Sequence, residues 1–247
     1  MSVQPFRLMN RSVTFFGARF PAVAFIVAAG TLAVTIVAVV AERSGLGLAS
    51  LLALQPSGVM KGEVWRLITW PFVEPAPLSL IFACAVLLFF GRDLCYHWGA
   101  ARYLKTYLAF AAGTGAAVCL VGLVWPAVWR TGYLTAWPLA DALIIAWASA
   151  FPSRQILVYF VLPLGGRRLI YATFGINVIF ALFAGVSYFV PHFIALTAMW
   201  VYQNGGMGGF LGRWRRRGWG QMGPRRRSNL RVIDPRERRD EPPRWLH

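Results

Sequence analysis

Between Pro21 and Ala41 the chain carries no charged residue, and comparable apolar runs recur downstream. A helix needs about 20 predominantly apolar residues to cross the hydrocarbon layer of a bilayer. Several such runs in one chain leave a soluble domain nowhere to bury them. The 57% hydrophobic content agrees, since soluble domains hold about 45–50%. The chain reads as an all-α, multi-pass integral membrane protein.

The spans follow from charge-free length and from the residues that interrupt it. The Pro21–Ala41 run exceeds the roughly 7–15 apolar residues of a secretory signal, so it is expected to be an uncleaved first span despite the basic segment before it. Arg43 to about Glu74 is a long mixed loop whose apolar pieces, LLAL and VWRLITWPF, suit a membrane interface, with Trp65 and Trp70 at headgroup level. A second span runs from Leu78 toward Tyr96, a third from Tyr103 to Val124, and a fourth from about Tyr133 to Phe151. ILVYFVLPL is short for a span and is expected to lie at the interface or against the bundle. A fifth covers Leu169 to Phe189, and Pro191 is expected to open a sixth. The total is roughly six transmembrane helices.

Charge placement orients them. Arg7, Arg11 and Arg19, then Arg92, Arg102 and Lys105, then Arg154, Arg167 and Arg168, then the tail, fall on one side. The other side holds Arg43, Lys61, Arg66 and Arg130, offset by Glu42, Glu63 and Glu74. Both termini are therefore expected to be cytoplasmic. Three segments result: a basic N-terminus of residues 1–20, a transmembrane domain of 21–212, and an arginine-rich tail of 213–247 expected to be disordered. The formal charge of +16 flanks apolar spans. It points to anionic lipid at the tail, and not to nucleic acid. Cys84, Cys95 and Cys119 show no C-x-x-C spacing, so neither metal nor cofactor is expected. The cysteine-poor, arginine-rich composition suits a bacterial inner membrane.

Trp65-Arg66-Leu67 opens VWRLITWPF, and the following apolar helix ends in FFGRDLCYHWG before ARYLKTYL. Phe151-Pro152-Ser153-Arg154-Gln155-Ile156 then precedes LVYFVLP. In order and spacing, from about Gly62 to Gly212, these motifs resemble the rhomboid family of intramembrane serine proteases. The resemblance implies a rhomboid-like six-helix bundle, with Trp65, Arg66 and Gly91 as structural residues of the external loop and of the turn after the second helix.

Rhomboid catalysis would need a Gly-x-Ser-Gly serine on the fourth helix, a histidine on the sixth and a His-x-x-x-Asn pair on the second. A hydroxyl is a poor nucleophile without an adjacent base, and oriented oxyanion donors contribute about 3–4 kcal/mol. Anchoring on Phe89-Phe90-Gly91 puts Ser79 and Ala83 at the His and Asn positions. Anchoring on Phe151-Pro152 puts Trp137 at the serine, with Thr135 and Pro138 for glycines. Val190-Pro191-His192 resembles the start of the sixth helix and puts Ala195 at the catalytic histidine. Every catalytic position fails together. The remaining candidate dyad is Thr135 with His192, because Ser149 lies near the other end of its span.

Asp141 is ionisable and lies within a span, which marks a candidate polar site. Asn177, Tyr171 and Thr173 are its candidate partners, and Asn177 is the deepest. The expected function is a rhomboid-like pseudoprotease that binds or regulates transmembrane segments of client proteins. The competing expectation is a serine-type intramembrane endopeptidase with a displaced site.

Overall fold

A computed structural model describes residues 12–15, 18–158 and 162–205, with side chains described from residue 20 onward except 157–163. Residues 1–210 form one unit and 211–247 another. The arginine-rich tail of 213–247 and most of the basic N-terminus lie outside the described residues.

The chain is mostly helical. Two short strands, β1 (Ser12–Phe15) and β2 (Ala18–Pro21), pair antiparallel with Ser12 opposite Pro21. They lead into α1 (Ala22–Arg43). The long loop folds into α2 (Leu48–Leu52), α3 (Pro56–Met60) and α4 (Arg66–Thr69), closed by a 3-10 turn at Trp70–Phe72. Next come α5 (Pro77–Trp98), α6 (Ala100–Val124), the short α7 (Pro126–Arg130) and α8 (Trp137–Ala150). A hairpin of β3 (Gln155–Val158) and β4 (Leu162–Gly165) precedes α9 (Gly166–Ala184) and α10 (Val186–Gln203). Several helices open with proline in the first turn, among them α3, α5 and α7, where its missing N–H has no intrahelical role.

Among the described residues four helices, α1, α5, α6 and α9, are long and apolar enough to cross a membrane. The two hairpins correct the all-α expectation. The second of them takes up the two ends of the run ILVYFVLPL, residues 156–158 and 162–164, as paired strand, with Gln155 opposite Gly165. The fourth expected span also shortens. Tyr133 to Ala136 is a loop segment, and α8 has 14 residues, a rise of about 21 Å. That falls short of the roughly 30 Å hydrocarbon core. No residue of α8 is exposed, because α5, α9 and α10 pack around it. A helix walled by protein is not required to match the bilayer's thickness.

The boundary between the last two helices also moves. The break falls at Gly185, whose φ of +100° ends α9, and Pro191 lies inside α10. A proline within a helix frees the carbonyl four residues back, here that of Ser187. Tyr133 satisfies it: its phenolic hydroxyl donates to the Ser187 carbonyl at 2.8 Å. Burial pushes the Tyr133 phenol up to about 12, so it stays a donor at neutral pH. Tyr133→Phe should therefore lower stability by about 1 kcal/mol, the low end for an unsatisfied acceptor because the Ser187 carbonyl is part-buried. Thermal unfolding in lipid nanodiscs checks this, and an unchanged midpoint would refute the clasp.

Two apolar clusters hold the bundle. The larger joins α8 (Leu139, Leu143, Ile145, Trp147) to Leu87, Tyr107 and Leu196. The smaller lies under the loop and gathers Leu54, Trp70, Val118, Val128 and Tyr133. All three cysteines are free, with Cys95 in the first cluster and Cys119 in the second. Gly91 lies within α5 and not in the turn after it, which is at Gly99, and it faces α6. A Cβ there would stand 2.7 Å from the Tyr103 hydroxyl, so only glycine permits the contact.

Candidate functional site

The site is built around the N-terminal half of α8. A helix start leaves backbone N–H groups without intrahelical partners, and Glu74 supplies one of the acceptors. Its Oε2 accepts from the Thr135 hydroxyl at 2.6 Å and from the Ala136 N–H at 3.2 Å. Thr135 Oγ1 accepts in turn from the Trp137 N–H at 3.3 Å. A carboxylate at this end also complements the helix dipole. Glu74 is itself buried, and its N–H donates to Thr35 Oγ1 of α1 at 3.0 Å. The loop, α1 and the mouth of α8 are thus tied by one residue, through its backbone N–H to α1 and its carboxylate to α8.

Beside this cap, the Trp137 indole N–H donates to Ser79 Oγ on α5 at 2.5 Å. One turn further along each helix, Ala83 is fully buried on α5 and Asp141 is buried on α8. Ala195 of α10 is also fully buried. Two of the positions assigned by resemblance, Trp137 and Ser79, therefore meet directly.

The second layer is polar. Asp141 Oδ2 accepts from Asn177 Nδ2 at 3.1 Å and lies 2.8 Å from His192 Nδ1. Asn177 Nδ2 also donates to the Thr173 carbonyl at 2.9 Å, so both amide protons are used. The Phe189 ring stacks on the imidazole at 4.8 Å. Helices α8, α9 and α10 each contribute one member, and all three side chains are buried. Sharing one oxygen between two partners fixes the rotation of α8 against its neighbours. It also leaves each buried polar group with a partner, as a low-dielectric interior requires.

Thr135 and His192, weighed together from the sequence, have different hydrogen-bond partners: Glu74 for the threonine and Asp141 for the histidine. Among the described residues no serine or threonine hydroxyl is hydrogen-bonded to a histidine. The sequence reading missed the contact between His192 and Asp141. It placed His192 at the first turn of a helix opening at Pro191, whereas α10 begins at Val186 and carries the imidazole about 9 Å further in. Glu74 was also missed as a cap, having been counted only as loop charge.

On the loop, Trp65 Nε1 donates to the Leu51 carbonyl at 3.3 Å. The buried Arg66 guanidinium reaches the Ser50 and Ala53 carbonyls at 2.6 and 2.7 Å, and Glu63 at 2.5 Å. At the opposite end of α8, Asp93 accepts from the Trp147 indole N–H and from Arg154, each at 3.0 Å. Among the described residues no group of three His, Cys, Asp or Glu side chains is placed to hold a metal.

Among curated proteins nothing matches the chain. One family does, the one described as "Eukaryotic integral membrane protein (DUF1751)", and it matches residues 24–208. That range begins inside α1, ends just past α10, and takes in the whole site around α8. The description is of eukaryotic proteins and lends no support to a bacterial inner membrane. Four helices able to span a bilayer and a match over most of the sequence agree: this chain is a multi-pass integral membrane protein and belongs to that family.

Proposed function

We propose that the protein is a rhomboid-like membrane protein without the serine–histidine dyad, and that it binds or regulates transmembrane segments of client proteins. In this reading α8 and α10 complete a six-helix bundle, both termini are cytoplasmic, and the tail of 213–247 holds anionic lipid. The observation that carries it is the Trp137–Ser79 hydrogen bond. It fills with an indole the place where a rhomboid's serine would face the polar groups of the second helix. Ala195, at the position of the base, offers no proton acceptor. Binding without cleavage needs an accessible helix face, and α9 offers one. It is the least buried of the four long helices, with Tyr171, Leu182 and Phe183 strongly exposed. Helix association within a bilayer rests on such van der Waals faces and on polar contacts.

The test pairs two measurements on the full chain. In proteoliposomes with a helix-unstable transmembrane substrate, no product should form while an active rhomboid cleaves the same substrate. In native membranes, a photo-crosslinker in place of Phe183 should capture a second membrane protein through its transmembrane segment. Product that disappears in Thr135→Ala/His192→Ala would instead establish a protease. An empty crosslinking lane would overturn client binding along α9.

A further inference from the structure

At the end of the bundle where α6 begins and α10 ends, a groove of about 540 Å³ runs between the two helices. Its floor and walls are Ala101, Thr106, Ala109, Phe110 and Tyr202, and Arg102 and Lys105 stand on α6 beside it. Residues three and four apart share a helix face, so Arg102, Lys105, Thr106 and Ala109 form one stripe, basic at its start and apolar further in. Arg102 is held in place rather than waving: Nη2 donates to the Tyr202 hydroxyl at 3.3 Å, and its guanidinium lies 5.8 Å from the centre of the Trp98 ring. Phe110 packs edge-on against Tyr202 at 5.8 Å and walls the inner part.

Charge decides the occupant. Among the described residues no carboxylate is paired with Arg102 or Lys105, and Asp93 is taken by Arg154 and lies close to Arg92. Both cations are exposed. α6 is long and apolar enough to cross a membrane, which would put its first two turns at headgroup depth and the apolar part of the groove against acyl chains. A cation pair above an apolar furrow at that depth complements a phosphate joined to a hydrocarbon chain. A neighbouring groove of about 460 Å³, lined by Arg167, Ile170, Tyr171, Phe174 and Trp200, carries a single cation in its lining and makes the weaker case.

We infer that the groove between α6 and α10 is a binding site for one anionic phospholipid. Its phosphate is held by Arg102 and Lys105, and one acyl chain lies along Ala109 and Phe110. The site is separate from the client-binding reading and from the arginine-rich tail, and it stands if either fails.

The test uses the full chain, purified in detergent and delipidated, titrated with phosphatidylserine or phosphatidylcholine and read by native mass spectrometry. Each basic residue near a membrane surface contributes about a fivefold gain in affinity. Arg102→Gln/Lys105→Gln should thus weaken phosphatidylserine binding about thirtyfold. Arg168→Gln, an exposed cation at the same end outside both grooves, should change it less than about twofold. Because Arg102 also ties α6 to α10, Lys105→Gln alone provides a variant with no fold contact at stake and should show the fivefold loss. Equal binding of phosphatidylcholine, undiminished phosphatidylserine binding by Lys105→Gln, or full displacement by inorganic phosphate would overturn the assignment.

Discussion

Replacing Arg66 with glutamine should loosen the whole segment between α1 and α5 and lower stability by about 2–4 kcal/mol. The guanidinium is 93% removed from solvent in its side chain, being only 7% exposed, and it serves three acceptors on different parts of the loop: Glu63 and the carbonyls of Ser50 and Ala53. Glutamine can donate to one or two of them and neutralises none. Glu63 is then left with its charge partly buried, and such a broken pair costs more than the intact pair contributes. Arg66→Lys restores the charge without the planar fork and should recover about half of the loss. Thermal unfolding reports the magnitude. Limited proteolysis within residues 44–76 reports its location, because a global effect would expose other sites equally. If the variant melts with the parent and resists protease, the loop is held by Trp65, Thr69 and Trp70 instead.

The second large effect is expected at Asp141. Asp141→Ala deprives Asn177 Nδ2 and His192 Nδ1 of their common oxygen inside the bundle. Each buried polar group left unsatisfied costs about 1–3 kcal/mol, and the vacated volume adds a cavity term. The sum is about 3–5 kcal/mol, enough to deplete the folded protein in membranes. Asp141→Asn keeps an oxygen in nearly the same volume and should lose about 1 kcal/mol. The two variants separate a structural role from a functional one. If Asp141→Asn folds as the parent does yet loses crosslinking from position 183, the cluster shapes the client-binding face. If both variants unfold with the parent's midpoint, the cluster stabilises nothing and must be sought in function alone.

The sequence made some of these elements plain and hid others, for physical reasons. α1, α5 and α6 were legible because charge-free length is a local property, and it alone decides whether a segment can lie in lipid. Asp141 and Asn177 could be named together because depth along a span is also local, and their side chains do share a 3.1 Å hydrogen bond. Pro191 misled because proline ordinarily marks a helix's first turn. What lets it sit inside α10 is the Tyr133 hydroxyl, 54 residues away in sequence, and no window of local sequence contains that pairing. Glu74 was hidden in the same way, since the Thr135 hydroxyl it receives lies 61 positions on. The β3–β4 hairpin was beyond reach for another reason: a short apolar run is compatible with strand and helix alike.

The enclosure of α8 has a consequence for where the protein can live. Membranes of different compartments differ in hydrocarbon thickness by several ångströms, and a lipid-facing helix answers by tilting or by deforming the bilayer. α1, α5, α6 and α9, the helices long and apolar enough to cross a membrane, are the ones that would make that adjustment. No residue of α8 is exposed, and α5, α9 and α10 pack around it. Glu74 and Asp141 are buried, but the cluster is completed by Asn177 on α9 and Trp137 is bonded to Ser79 on α5, so an adjustment of those helices is passed to the centre. The polar centre is shielded from direct contact with lipid yet coupled to its host bilayer through α5 and α9, so membrane thickness reaches it only by way of those two helices.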